Sequence, residues 1–415
     1  MHFGSKSSRT ALFFVIGCWV FGLASAEQPR VAFVTSVTGN GNLSSWPDAG
    51  GASGLAAGDA ICRARAGAAG LANAENFVAW LSDADDDAFC RVHGLSGKRS
   101  DNCGQAELPP PAGPWVRTDG FPFAQTIDRA LFPGYEVIGP LALNESGGAA
   151  NILFMTGTNT QGAAVTPGQF SGDCDGWTNG SNQAPLTLGS PTRTHSAWTN
   201  GGGSTSCSQQ RPIACFESGP GPALPDYASS GLIAFATTTF GPADLETWSL
   251  ADPGLTGIAA GDSICRNEAA AAGLDAPDSF KVWLSDGSSN AIDRLEADGP
   301  WVRVDGAPVA ADRAELTSGR LFVPINLRPD GVFTGLVAHT GTNANGQAGP
   351  SNCLDWTSAA STDQGLRGLS GETIASWTQG IQFGCDFGGV LYCFSDSLPE
   401  DSGIIFSDRF QAPTN

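Results

Sequence analysis

Apolar and polar residues alternate along the chain in a series that is written twice. Val31-Ala32-Phe33-Val34-Thr35 is an apolar run expected to form a buried strand, and Leu232-Ile233-Ala234-Phe235-Ala236-Thr237 is its counterpart. Each is followed by an alanine-rich stretch carrying Asp-x-x-Cys, Asp59 to Cys62 and Asp262 to Cys265, which ends at Gly70-Leu71 and Gly273-Leu274. That pattern predicts a helix stopped by glycine. In the first copy Leu55, Ile61, Cys62, Ala66 and Ala69 share one face, so the cysteine points inward as a staple. Phe77-Val78-Ala79-Trp80-Leu81 and Phe280-Lys281-Val282-Trp283-Leu284 then read as core strands closing in Ser-Asp turns.

The copies part after those strands. The first carries an extra segment, 84–112, holding Asp85-Asp86-Asp87, Cys90 and Cys103, which predicts a surface loop tied by a Cys90–Cys103 bridge. The acidic triplet also fits half of a calcium site, the alternative to a simply solvated run. The copies rejoin at Gly113-Pro114-Trp115-Val116-Arg117 and Gly299-Pro300-Trp301-Val302-Arg303. Asp128-Arg129 and Asp312-Arg313 follow, and the second is expected to open a short helix ending near Gly319. Then come Thr156-Gly157-Thr158-Asn159 and Thr340-Gly341-Thr342-Asn343, a Cys-x-x-Trp at Cys174 and Cys353, a further tryptophan, and two late cysteines. Trp177 and Trp198 are spaced as Trp356 and Trp377 are. The boundaries are therefore 31–217 for the first copy, 232–395 for the second, a Pro/Gly linker at 218–231 read as semi-extended, and a tail at 396–415.

Residues 1–26 have the pattern of a secretory leader: Lys6 and Arg9, an apolar core, then Ala24-Ser25-Ala26. Lipid anchoring at Cys18 is a second reading, set against by the apolar residues that follow it. No later stretch is long and apolar enough to span a bilayer. The net charge of −20 suits a secreted or cell-surface chain and excludes nucleic acid and anionic glycans as partners. Outside the leader ten of the 11 cysteines remain, an even number that fits an oxidising compartment. None forms Cys-x-x-Cys, which argues against a zinc ribbon or a redox site. The four cysteines of the second copy leave three pairings open.

Taken together, the Asp-x-x-Cys helix, Gly-Leu, Phe-x-x-Trp-Leu-Ser, Asp-Arg, Thr-Gly-Thr, Cys-x-x-Trp and a late cysteine resemble endostatin, the C-terminal domain of certain collagens. They resemble more closely a bacterial domain family of unknown function thought to share the C-type lectin-like fold. The resemblance covers 31–217 and 232–395. It implies an α+β protein of two tandem disulfide-stapled C-type lectin-like (endostatin-like) domains. It also implies nested bridges, Cys62–Cys215 around Cys174–Cys207 and Cys265–Cys393 around Cys353–Cys385. Endostatin's zinc-binding histidine cluster and arginine-rich face have no counterpart here. The Glu-Pro-Asn, Gln-Pro-Asp and Trp-Asn-Asp motifs of calcium-dependent lectins are absent as well.

No catalytic set emerges. None of His93, His195 and His339 recurs between the copies, and Gly-x-Ser-x-Gly is missing. The recurring polar residues, Asp83/Asp286, Arg117/Arg303, the Asp-Arg pairs and Asn159/Asn343, suit turns, ion pairs and buried hydrogen bonds. Trp80/Trp283 and Trp177/Trp356 are expected in the core, the latter pair against a disulfide, with Trp115/Trp301 intermediate. Trp198 and Trp377, flanked by Ser, Thr and Gly, are expected to be exposed and to serve with Asn159 and Asn343 as ligand-binding candidates. The expectation is a secreted, non-enzymatic protein that needs no cofactor and recognises an extracellular protein or a neutral glycan. A structural envelope component and a cryptic hydrolase are the alternatives.

Overall fold

The computed structural model describes residues 1, 2, 4, 28–166, 168, 172–201 and 203–397. Most of the expected leader, Cys18 included, and nearly all of the tail lie outside the described residues.

In the first copy the strands are β1 (Arg30–Val34), β2 (Phe77–Ala79), β3 (Trp115–Val116), β4 (Pro122–Ala124), β5 (Phe154–Met155), β6 (Pro185–Gly189), β7 (Ser204–Ser206) and β8 (Ala214–Glu217). They form a five-stranded sheet, β2-β8-β1-β3-β4, and a three-stranded one, β5-β6-β7. In the second copy β9 (Leu232–Ala236), β10 (Phe280–Val282), β11 (Trp301–Val302), β12 (Pro308–Ala310), β13 (Val337–His339), β14 (Gln364–Leu369), β15 (Ile381–Gly384) and β16 (Val390–Ser395) repeat this order. There the two sheets fuse into one of eight strands, because β13 pairs parallel with β16 through Ala338↔Val390 and His339↔Leu391. In the first copy an isolated Met155↔Ile213 bridge stands at that junction.

The first and last strands of each copy lie side by side and antiparallel, Phe33 opposite Cys215 and Phe235 opposite Cys393. Against them packs a long helix, Gly54–Ala68 or Gly257–Ala271, which buries Ile61 and Cys62 or Ile264 and Cys265. Ala69 caps the first helix and is half-exposed, so the buried face ends at Ala66. In both copies a half-buried aspartate of this helix, Asp59 or Asp262, accepts the N–H of the strand beside it, Ala79 or Val282. Different elements bring a guanidinium to it, Arg91 from helix Ala88–Val92 in one copy and Arg294 from a one-turn helix in the other.

Five disulfides join Cys62 to Cys215, Cys90 to Cys103, Cys174 to Cys207, Cys265 to Cys393 and Cys353 to Cys385. All lie within one copy, and in each copy the outer bridge encloses the inner one. The Cys-x-x-Trp turns are held in left-handed backbone, with positive φ at Cys174, Asp175 and Trp177 and at Cys353, Leu354, Asp355 and Trp356. Among the described residues no helix is long and apolar enough to cross a membrane.

The two copies are docked at one turn from each. Thr194 N–H donates to the Gly371 carbonyl (2.8 Å) and Thr373 N–H to the Thr192 carbonyl (3.3 Å), an antiparallel bridge centred on Arg193 and Glu372. Arg193 and Glu372 hold equivalent positions ahead of Trp198 and Trp377, so the join is a local two-fold in which each turn meets its own counterpart. Glu372 is 2% exposed and accepts from the Arg193 guanidinium and from the Thr192 hydroxyl (3.2 Å). The linker is pinned rather than loose. Gly219 N–H donates to Val92 and Ser229 N–H to Gly306, while Tyr227 packs edge-on against Phe121.

Candidate functional site

Every tryptophan among the described residues is buried. Trp198 and Trp377 are 0% and 1% exposed, which removes them as ligand-stacking residues. Each lies against its partner core tryptophan, Trp80 at 5.0 Å and Trp283 at 5.2 Å. The neighbouring glycines reflect close packing: a Cβ on Gly189 would lie 2.3 Å from the Trp198 carbonyl, and one on Gly368 1.9 Å from that of Trp377. Trp115 and Trp301 are also fully buried, and each indole donates to the end of a strand, at Glu217 and Ser395.

Asn159 and Asn343 are half-buried turn residues. The Asn159 side-chain oxygen accepts from Gln161 and Ala163, and Asn343 Nδ2 donates to the Ala348 carbonyl. Their amide groups are spent on local loops. The acidic triplet is likewise engaged, with Asp86 accepting from Gly97 and Asp87, 2% exposed, accepting from Arg99, Ala164 and Lys98. Among the described residues no three His, Cys, Asp or Glu side chains are placed to hold a metal ion.

The Asp-Arg pairs are not structural equivalents. The short helices Ile127–Ala130 and Arg313–Leu316 are capped by Thr126 and Asp312, which puts Asp312 in the place of Thr126. Arg117 and Arg303 do correspond, each pairing with the aspartate two residues on, Asp119 at 2.6 Å and Asp305 at 2.7 Å. A cleft of about 910 Å³ lies between the copies, with Arg117, Asp119, Tyr227, Glu315 and Arg320 on its walls. Its two guanidinium groups are already bonded, Arg117 to Asp119 and Arg320 to Asn151.

The surface that stands out is in the second copy, around the turn that follows β15. Phe240, Phe383 and Phe387 are 52%, 37% and 56% exposed, and Ile381 joins them at 38%. The rings of Phe383 and Phe387 lie 5.5 Å apart. Phe240 rests on Gly388, where a Cβ would come within 2.1 Å of its ring, so only glycine permits that contact. Beneath the turn Arg367, itself 0% exposed, donates to the carbonyls of Gly384, Phe387 and Gly388. The Cys353–Cys385 bridge ties the turn to the body of the copy.

The same positions in the first copy are polar or small. Equivalent bridges, Gly39↔Arg211 and Gly241↔Gly389, set Thr38 where Phe240 stands. Equivalent turn hydrogen bonds, Gln209 to Ser206 and Phe387 to Gly384, set Gln209 opposite Phe387 and Thr205 opposite Phe383. Gly388 replaces Gln210, and Ile381 replaces Gly203. The supporting layer changes as well: the cross-strand pair Met155–Leu188 becomes His339–Arg367.

That buried pair is electrostatically loaded. His339 Nε2–H donates to the Gly241 carbonyl at 3.0 Å, and its Nδ1 has no partner among the described residues. Burial, reinforced by the Arg367 charge, lowers the His339 pKa to about 3, so the ring is neutral at ordinary pH. Burial also lowers Arg367 to about 10, which leaves it charged. Burial also lowers the pKa values of His93 and His195. His93 is fixed between Phe89 and Ala112, and His195 stacks on Tyr135 at 4.0 Å.

Comparison with known proteins finds no matching family model and no matching curated protein.

Proposed function

We propose that this chain is a secreted, non-enzymatic recognition protein of two tandem C-type lectin-like domains, 31–217 and 232–395. In this reading it binds an extracellular protein or neutral glycan through the phenylalanine shelf of the second domain. The side-by-side end strands, the helix stapled to them and the nested bridges support the C-type lectin-like assignment.

One observation carries the functional reading. Three exposed positions that are polar in the first copy are all phenylalanine in the second, and a permissive glycine and a buried arginine hold the turn that displays them. Exposing aromatic rings together on a soluble surface is unfavourable unless a partner covers them. The second domain is the binding module in this reading, and the first is its docked support.

The test is to restore the first-copy residues with Phe240→Thr, Phe383→Thr and Phe387→Gln in one chain, and to screen it beside the natural chain on matrix-protein and glycan arrays. The reading expects a signal for the natural chain that drops at least about tenfold in the variant. Equal signals from the two chains would defeat it.

A further inference from the structure

We infer that β15 is an acceptor edge, and that the shelf's partner is an extended peptide strand with apolar residues at alternate positions. The inference rests on the shelf being the binding surface. It adds the chemistry of what binds there.

The backbone carries the argument. β15 is the last strand of the eight-stranded sheet, paired on one side only, with β14. Cys385 N–H donates to the Asp363 carbonyl at 3.0 Å, which makes those residues a hydrogen-bonded pair; by alternation Gly365 and Phe383 form the next one. Leu366 and Gln382, the pair between, turn their main-chain groups away from each other. Leu366 shows this directly: its N–H donates to Ser351 and its carbonyl accepts from Thr340 and Gly341, all on the side away from β15. The N–H and C=O of Gln382 therefore point out from the sheet edge. An extended backbone laid alongside matches that donor and acceptor pair, as in strand addition to a sheet edge.

Edge strands are ordinarily guarded by charge, proline or a bulge. Ile381-Gln382-Phe383-Gly384 has no charge and no proline, and its register with β14 is unbroken. Ile381 and Phe383 are two residues apart, so both project from the same face, and Phe387 extends that face outward. A strand laid about 4.8 Å from β15 sets every second side chain over this shelf. The first copy presents a matching edge, β7, but Gly203, Thr205 and Gln209 give it no apolar shelf. The inference therefore applies to the second copy alone.

The full chain is probed with an array of hexapeptides bearing Val, Ile, Leu or Phe at alternate positions and Thr between them. The best binders are remade with backbone N-methylation in each of the two alternate registers. Strand addition predicts that one register weakens binding at least about tenfold while the other changes it little. Gln382→Pro predicts the same loss with an unchanged circular dichroism spectrum, because the N–H it removes makes no bond within the sheet. Binders insensitive to methylation in both registers, or an array with no binder, overturn the inference. If the array is blank while the phenylalanine swap still abolishes glycan or matrix-protein binding, the shelf stands and the strand falls. If the swap alters nothing, the recognition reading itself has failed.

Discussion

His339 makes the second copy sensitive to acid through a ring that is fully buried. Its pKa of about 3 in the folded chain lies below the ordinary 6.5 that it regains on unfolding. The unfolded state therefore binds more protons between those two values. Stability contributed by the neutral ring is complete above about pH 6.5, falls as pH drops, and is lost by about pH 3. One pKa unit corresponds to about 1.4 kcal/mol, so the full loss is about 5 kcal/mol, of which about 2 kcal/mol is spent by pH 5. The perturbation is His339→Met, which installs the residue found at the matching position, Met155. The assay is urea unfolding from about pH 7 to about pH 4, followed by amide exchange in peptides of β13 and β16. Met changes the packing and leaves the Gly241 carbonyl with the Gly389 N–H as its remaining donor, so the absolute stabilities differ at every pH. The slope is the readout: the natural chain should lose about 2 kcal/mol more than the variant between about pH 7 and about pH 5. Parallel profiles would refute the reasoning, since carboxylates elsewhere titrate equally in both chains.

Three further outcomes are expected. Trp198→Phe should cost about 1 kcal/mol more than Trp377→Phe in thermal melts, because the Trp198 indole donates to the Ala130 carbonyl while the Trp377 Nε1 has no partner among the described residues. Equal costs would argue against that difference. Arg193→Glu and Glu372→Arg should each destabilise the join between the copies, and the double exchange should recover most of the loss. A double-mutant cycle should give a coupling of at least about 1 kcal/mol, and additive singles would contradict the pairing. Replacing Cys353 and Cys385 by Ala opens a loop of 32 residues and should remove about 3.7 kcal/mol from the second copy, with the first unchanged in exchange experiments. A loss shared by both copies would show that they do not unfold separately.

Much of the architecture was legible because it rests on local pattern. The apolar runs at 31–35 and 232–237 became the first strand of each copy, and the alanine-rich stretches became the helices that carry Cys62 and Cys265. The candidate site was harder to read. Glycine beside Trp198 and Trp377 suggested an open loop, whereas in the fold Gly189 and Gly368, on the neighbouring strands, pack directly against the tryptophan backbones and both indoles are buried. The Asp-Arg pairs looked like a repeated feature, but the helix caps align Thr126 with Asp312 and break the match. The shelf residues were in plain view, yet their meaning depends on register. The paired bridges and turn bonds show that Phe240, Phe383 and Phe387 take the places of Thr38, Thr205 and Gln209. The join between the copies was hidden for the same reason, since Arg193 and Glu372 are far apart in sequence and neither lies in a shared motif.

That join has a consequence for how molecules of this protein meet one another. A turn that docks on its own counterpart is in principle free to choose a like turn from a neighbouring molecule. Two first copies would then set guanidinium against guanidinium, and two second copies would bury carboxylate beside carboxylate. Opposite charges at one shared position act as a lock and key between the halves, and they keep each chain closed upon itself where many copies crowd together.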